Sequence, residues 1–240
     1  MRLRILEVAF AIPFCLMSRN LSAQTSSAAG PLSGPQGGAP EVAISDLEGH
    51  ADDAAAIRKM VAQGVMTTVS EGKFEPDAGM TRAEFAESIQ RLFKLPPAKR
   101  TPQLPDVSSN TPATEAIQAV APFMNRQIVC FTCALSKNFF PNEPITSDLA
   151  VVAVVGILRA QKKIELVSDE DANQVLSSLP EFRRSGPVAA LYFATAVKLG
   201  LMPRPQRYSP AAKSTRADMA VLFDHVQGQV GVPLVKPETK

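Results

Sequence analysis

Hydrophobic residues recur three and four positions apart in six stretches of the chain, which is the spacing of one face of an α-helix. No run of residues alternates between apolar and polar in the way that a half-buried β-strand requires. The pattern therefore predicts an all-α fold in which long ordered loops connect the helices. The six stretches are Ile57 to Val61, Phe85 to Phe93, Ile117 to Met124, Leu149 to Leu158, Val188 to Leu199 and Met219 to Val226.

Glycine and proline residues set the expected ends of these helices. Gly64 follows the first stretch, and Pro96 with Pro97 is expected to end the second. Pro122 predicts a kink or an early stop in the third.

The fourth helix, expected from Thr146 to about Lys163, is apolar on nearly every side between Leu149 and Leu158. A helix without a polar face has to be covered by protein all round, so this helix is predicted to be the most buried. One more short helix is expected between Asp169 and Leu179.

Three landmarks recur in the same order, which indicates an internal repeat of the form helix, long loop, helix. An acidic residue beside apolar ones opens each copy. An aromatic residue two positions before a proline follows, and a threonine comes five residues after that proline. The landmarks are Asp46, Phe74, Pro76 and Thr81 in the first repeat, Asp106, Phe139, Pro141 and Thr146 in the second, and Glu181, Tyr208, Pro210 and Thr215 in the third.

The first 23 residues have the pattern of a secretory signal peptide. Arg2 and Arg4 precede a mostly apolar stretch from Ile5 to Met17, and small residues lead up to Ala23. That stretch is too short to cross about 30 Å of hydrocarbon, so cleavage is expected instead of anchoring, and no other stretch predicts a transmembrane span. The predicted organisation is a signal peptide (1–23), a disordered linker rich in Ser, Gly and Pro (24–42), three repeats (43–100, 101–167 and 168–229) and a flexible tail (230–240).

The charge of the chain argues against a nucleic-acid partner. The whole sequence has a net charge of +2, and the signal peptide holds three arginines against one glutamate, so the exported chain is close to neutral. A neutral chain has no general attraction to a phosphate backbone.

Export leaves Cys130 and Cys133 as a Cys-x-x-Cys pair. Outside the cytoplasm such a pair is more often bridged than free, so a local disulfide is expected. A thiol-redox site is the alternative interpretation. Zinc needs four ligands, and His50 and His225 are far apart in the sequence, so neither a metal site nor a cofactor is expected.

The sequence Met80-Thr81-Arg82-Ala83-Glu84-Phe85 predicts the start of a helix. Threonine followed three positions later by glutamate is a capping box, in which the hydroxyl accepts from a free backbone N–H and the carboxylate accepts from the N–H of the cap. Thr215 and Asp218 repeat this arrangement with a shorter acid.

Capping does not explain Arg82 and Arg216, because a cation in the first turn faces the positive end of the helix dipole. Two interpretations stay open. The guanidinium groups and the free N–H groups at a helix start suit an anionic ligand such as a carboxylate or phosphate. Alternatively, each arginine forms a salt bridge from one repeat to the next.

These motifs resemble the S-layer homology domain. The first repeat is nearest to the family pattern, and the third keeps Thr215-Arg216-Ala217-Asp218. The second has Ser147 where the family has arginine, and the chain lacks the tryptophan that the family places after Gly-His. The matching segments of the first repeat are Asp46-Leu47-Glu48-Gly49-His50, Gly64-Val65, Gly72-Lys73-Phe74-Glu75-Pro76 and Thr81-Arg82-Ala83-Glu84-Phe85.

The resemblance implies three units around a pseudo-threefold axis, with one helix from each unit in a central bundle. It also implies non-covalent binding of a cell-wall glycan in grooves between units, where the signature arginine pairs with an acidic group. Carried onto this sequence, that role falls to Arg82 and Arg216, with Lys73 as a weaker candidate. The remaining residues of the predicted glycan site are Thr81, Glu84, Thr215 and Asp218.

The sequence thus predicts an exported, non-enzymatic attachment module of the cell wall, periplasm or cell surface that binds an anionic polysaccharide or peptidoglycan. The first alternative is a structural envelope protein whose repeats bind another envelope protein and no glycan. The second alternative is a thiol-redox protein that uses Cys130 and Cys133.

Overall fold

The computed structural model describes residues 43–98, 104–109, 111–124 and 138–231. All of them lie in one compact unit, Gly38–Lys240. The predicted signal peptide and linker lie outside the described residues, as do Cys130, Cys133 and nearly all of the predicted tail.

Seven α-helices and two short 3₁₀-helices make up the described part of the chain, in which no β-strand is present. The predicted helical class is therefore confirmed, although the 3₁₀-helices at Pro180–Ser185 and Pro205–Arg207 were not predicted. The α-helices are α1 (Ala54–Ala62), α2 (Arg82–Phe93), α3 (Pro112–Val120), α4 (Ser147–Ala160), α5 (Asp169–Ser177), α6 (Pro187–Lys198) and α7 (Arg216–Val230).

Two helix ends differ from the prediction. α2 ends at Phe93, ahead of Pro96, because Lys94 adopts the left-handed conformation and its N–H donates to the last turn. α4 ends at Ala160, three residues before the predicted Lys163. α3 ends at Val120, so Pro122 stops this helix and does not kink it.

α4 is buried along most of its length, as its apolar sequence predicted. Eleven of its fourteen residues are buried, including every residue from Ser147 to Val155. The second helices of the first and third repeats also contribute to the core, where the rings of Phe85 and Phe223 lie 5.9 Å apart between centroids.

The helices pack in pairs that cross from one predicted repeat to another. α2 packs on α3, α4 packs on α6, and α7 packs on α1. In each pair, the second helix of one repeat contacts the first helix of another. The additional helix α5 packs on α6. Among the described residues, the last helix, α7, therefore contacts the first, α1.

The residues that precede the three landmark threonines bind one another in a closed ring. The N–H of Met80 donates to the carbonyl of Ser214 at 3.0 Å, and the N–H of Ser214 donates to that of Ile145 at 2.9 Å. The N–H of Ile145 donates to the carbonyl of Met80 at 2.8 Å and completes the ring.

Beside this ring, the first two N–H groups of α2, α4 and α7 each donate to a neighbouring loop, with N···O distances of 2.9 to 3.1 Å. The first N–H of each helix binds the carbonyl of Glu143, Ala212 or Ala78, and the second binds that of Pro141, Pro210 or Pro76. The landmark prolines are thus the acceptors for helix starts that would otherwise be unsatisfied. We call these contacts the α2 junction (with residues 139–144), the α4 junction (with residues 208–214) and the α7 junction (with residues 74–79).

Candidate functional site

The predicted capping boxes are present at the starts of α2 and α7. The N–H of Thr81 donates to Oε2 of Glu84 at 2.8 Å, and the N–H of Glu84 donates to Oγ1 of Thr81 at 3.2 Å. Thr215 and Asp218 form the same pair of bonds at 3.2 and 3.1 Å. Both threonines therefore fix the first turn that carries the signature arginine.

Arg216 lies inside the α7 junction, with only 4% of its side chain exposed. Its Nε donates to the carbonyl of Phe74 at 2.7 Å, and its two terminal nitrogens donate to the carbonyl of Thr67 and to Oε1 of Glu84, the latter at 2.9 Å. The guanidinium carbon lies 4.7 Å from the centroid of the Phe74 ring, within cation–π distance.

Burial lowers the pKa of Arg216 from its ordinary value, and the charges of Glu84, Glu75 and Asp46 oppose that shift. Because all three of its nitrogens donate to residues between Thr67 and Glu84, the arginine connects the start of α7 to the first predicted repeat. This arrangement matches the interpretation in which the arginine links two repeats.

Arg82 has a similar place in the α2 junction. One terminal nitrogen donates to the carbonyl of Phe139 at 3.1 Å, and the other pairs with Oε2 of Glu143 at 3.1 Å. The guanidinium carbon lies 5.8 Å from the centroid of the Phe140 ring. Since 55% of the Glu143 side chain is exposed, this ion pair is closer to solvent than the contacts of Arg216 with carbonyl groups.

The α4 junction has no arginine. Ser147 occupies the corresponding position, and its Oγ lies 3.0 Å from Oγ of Ser214. Thr146 forms no capping box; its hydroxyl donates instead to Asp148, a buried carboxylate that also accepts from the N–H of Leu149 at 2.7 Å. Burial raises the pKa of Asp148 above its ordinary value, although these two hydrogen bonds act in the opposite direction.

A sequence model of the S-layer homology domain matches residues 43–86. The matched segment contains α1, the loop that receives α7, and the capped start of α2 with Thr81, Arg82 and Glu84. Residues 43–86 are an S-layer homology domain. A search of curated proteins found no match to the chain.

S-layer homology domains are binding modules that mediate attachment to the cell wall or envelope. The match at residues 43–86 therefore associates the chain with the cell surface or envelope. In the described part of the chain, no helix combines the length and the apolar character that a bilayer crossing needs.

Within the S-layer homology domain, Asp46 orders the loop that binds the start of α7. Its carboxylate accepts from the N–H of Phe74 at 3.0 and 3.1 Å and from the N–H of Glu75 at 2.7 Å. Burial opposes ionisation, but these backbone hydrogen bonds, aided by the charge of Lys73, hold the pKa of Asp46 below its ordinary value. This acid thereby positions the Phe74 carbonyl that binds Arg216.

The landmark acids of the other two predicted repeats differ from each other. Asp106 resembles Asp46, because it accepts from the N–H groups of Phe139 and Phe140 at 2.8 and 2.6 Å. Glu181 lies on a 3₁₀-helix. The N–H of Tyr208, the aromatic landmark of the third repeat, donates to the carbonyl of Pro205 at 3.0 Å and not to the landmark acid.

The predicted glycan-site residues are divided between two junctions. At the α7 junction, Arg216 contacts Glu84, which in turn forms the capping box with Thr81. Arg82 instead contacts the loop of the α2 junction. Lys73 is exposed on the loop beside Asp46. Thr215 and Asp218 cap α7 and belong to the same helix start as Arg216.

A charged cluster that the sequence did not predict joins the start of α1 to the loop before α7. Asp53, with 5% of its side chain exposed, accepts from Arg207 at 2.9 to 3.1 Å and from Arg204. Burial opposes its ionisation, but the hydrogen bonds from Arg207 and Arg204 hold the pKa of Asp53 below its ordinary value. Arg207 also reaches Oδ1 of Asp218 at 3.3 Å.

The capping acids Glu84 and Asp218 therefore have two partners each. One oxygen of each acid closes the capping box, and the other pairs with an arginine, Arg216 for Glu84 and Arg207 for Asp218. The sequence signal for the charged cluster around Asp53 was only the presence of Arg204 and Arg207 in one loop, because Asp53 is more than 150 positions away from both.

Proposed function

We propose that this protein is an exported attachment module that binds an anionic cell-wall glycan non-covalently through three S-layer-homology-like units. The units are residues 43–100, 101–167 and 168–229, and they lie around a pseudo-threefold axis. The observation that carries the proposal is the family match at residues 43–86, which includes the capped arginine motif at Thr81 to Glu84.

The hydrogen-bond pattern supports the threefold arrangement. The ring of Met80, Ile145 and Ser214 uses one donor and one acceptor from each unit. The three junctions then repeat the same two bonds, and the helix pairs α2–α3, α4–α6 and α7–α1 repeat the same contact. The family match covers the first unit alone, so the other two units rest on this recurrence.

We place the glycan at the α2 and α7 junctions, where Arg82 and Arg216 are held. Both guanidinium groups bind protein acceptors, and the exposed acceptors among these are the carboxylates of Glu143 and Glu84. An acidic group of a glycan would therefore replace one of these two carboxylates. Lys73, Thr81, Thr215 and Asp218 are the further residues that we assign to these sites.

The test is retention of the purified protein on isolated cell-wall sacculi, compared with sacculi stripped of their attached polymers by acid. Retention on intact sacculi and its loss on stripped ones is the expected result. The double variant R82A/R216A should be retained less, and the exposed Arg58→Ala is its matched control. Circular dichroism confirms that each variant is folded, and failure of the wild-type protein to bind sacculi would refute the proposal.

One observation favours a second candidate, a structural module that binds an envelope protein and no glycan. Both signature arginines are engaged with the protein's own carbonyl and carboxylate groups. In that case the folded wild-type protein would not be retained on sacculi, and R82A/R216A would change stability without changing retention.

A further inference from the structure

A cleft of about 410 Å³ lies between α3, α4 and α6, away from the residues that the family motif supplies. Its volume is within the range of about 300 to 1,000 Å³ that is usual for small-molecule sites. Val152, Gly156 and Arg159 follow one another at intervals of four and three residues, so they form one face of α4 at the base of the cleft. We call this site the Gly156 cleft.

Two aromatic side chains line the Gly156 cleft. Phe123 follows the end of α3, and Tyr192 belongs to α6. A Cβ atom on Gly156 would lie 3.8 Å from Cδ1 of Phe123 and 3.9 Å from Cε1 of Tyr192. The glycine therefore leaves a narrow floor without a side chain between two rings, and the apolar faces of a sugar ring pack well against such aromatic walls.

The basic rim of the Gly156 cleft is Arg159, a charged residue of its lining. Lys162 and Lys163 come after Gln161, the residue that follows α4, and are close to Arg159 in the sequence. All three side chains are exposed, and none has an ion-pair partner among the described residues. Their charge complements the dipole of α4 and also leaves guanidinium and ammonium donors available to a carboxylate or phosphate.

Two other clefts of similar size lack this combination. The cleft of about 460 Å³ beside Asp53 has arginines that are already paired with that buried carboxylate. The cleft of about 430 Å³ between α5 and α6 is lined without an aromatic side chain, and its Arg183 donates to the carbonyl of Asn173.

We propose that the Gly156 cleft binds one acidic sugar residue of a polysaccharide. The sugar ring lies on Gly156 between Phe123 and Tyr192, and its carboxylate or phosphate pairs with Arg159. This inference rests on the proposed glycan-binding function and adds a contact site to which the arginine motif does not contribute.

Glycine substitutions test the floor of the cleft. Gly156→Ala places a methyl group between the two rings at ordinary contact distance, so the helix is kept and the sugar is displaced. Gly228→Ala is the matched control, because Gly228 lies in α7 and an added Cβ meets nothing within 4 Å. We expect Gly156→Ala to weaken binding to intact sacculi about tenfold, the effect of losing one good polar or packing contact, and the control to bind like wild type.

The charged contact is tested in the same assay. Arg159→Gln should weaken binding about tenfold, Arg159→Lys should restore part of the loss, and the exposed Arg58→Gln should have no effect. Binding by the wild type should also fall as salt rises, because the rim is exposed.

The outcomes separate the two proposals. A wild-type protein that is not retained on intact sacculi overturns both the proposed function and the cleft. Retention that is equal for wild type, Gly156→Ala and Arg159→Gln overturns the cleft alone. A loss in these two variants with normal binding by both controls supports it.

Discussion

At the α7 junction a buried cation connects helix and loop, whereas at the α4 junction two hydroxyl groups do so. The backbone hydrogen bonds of the two junctions are the same, with the helix start donating to a landmark proline and to the residue two positions later. Arg216 reaches three acceptors in the first predicted repeat, whereas the hydroxyl of Ser147 reaches only that of Ser214 among the residues that the structure describes. The backbone pattern thus specifies the arrangement, and the side chains decide how strongly each junction is held.

The comparison extends to the capping acids. Glu84 receives Arg216 from the helix that docks beside it. Asp218 receives no arginine from α4, because that helix begins with Ser147. Arg207, from the loop before α7, pairs with its second oxygen instead. One missing arginine is therefore offset by another that comes from a different part of the chain.

Removal of Arg216 should have the largest effect on stability. Arg216→Met leaves the Phe74 and Thr67 carbonyls without a donor and Glu84 without its cation, so we expect the free energy of unfolding to fall by about 3 kcal/mol. Urea unfolding followed by circular dichroism measures the change. The exposed Arg58→Met is the control, and a loss no larger than that of the control would show that the junction does not depend on this cation.

Asp53 should have the next largest effect, and it should depend on pH. Asp53→Asn removes the carboxylate that holds Arg204 and Arg207, with an expected loss of about 2 kcal/mol at pH 7. Because its folded pKa lies below its unfolded value of about 3.8, the stabilisation is present above that pH and is lost as pH falls through the folded pKa.

Urea unfolding of wild type and Asp53→Asn at pH 7 and pH 3 measures this dependence. The difference between the two proteins should be smaller at pH 3. Asp52→Asn is a close control, since Asp52 is the next residue but is 86% exposed. An equal loss in both variants would contradict a special role for the buried carboxylate.

The smallest expected effect is a gain in stability at the α4 junction. Asp148 is buried and its pKa is raised, so its contribution to stability is full below its unfolded pKa of about 3.8 and is lost as pH rises through the folded pKa. Asp148→Asn keeps an oxygen that accepts from Thr146 and Leu149, but it has no charge to bury.

We expect Asp148→Asn to raise the free energy of unfolding at pH 7 by on the order of 1 kcal/mol, and the gain to shrink towards pH 4. Thermal unfolding at the two pH values, with the exposed Asp52→Asn as control, provides the measurement. A loss of stability at pH 7 would mean that the ionised carboxylate is needed at this junction.

The helices and their caps could be predicted because their signals are local. The apolar spacing indicated each α-helix, and Thr81 with Glu84 and Thr215 with Asp218 contain a complete capping box within four residues. The ends of the helices were predicted less accurately. Lys94 adopts the left-handed conformation and ends α2 before the chain reaches Pro96 and Pro97.

The direction of the arginine side chains could not be predicted. The first-turn position of Arg216 fits both an anionic ligand and a link to another repeat, and only the folded chain brings Phe74 and Thr67 to it. The pairing of Asp53 with Arg207 could not be predicted either, because the two residues are 154 positions apart and meet only in the folded chain. Charges that meet through tertiary structure leave no periodic signal in the sequence.

The contact of α7 with the first repeat also has a consequence for how the protein folds. The carbonyls of Pro76 and Ala78 acquire their donors only when Arg216 and Ala217 are in place, and α1 also needs α7 as its packing partner. These are contacts of very high sequence separation, and such contacts form slowly because a long loop has to close first. The S-layer homology segment therefore completes its structure only after α7 has been synthesised, and we expect a fragment that stops before α7 to remain incompletely folded.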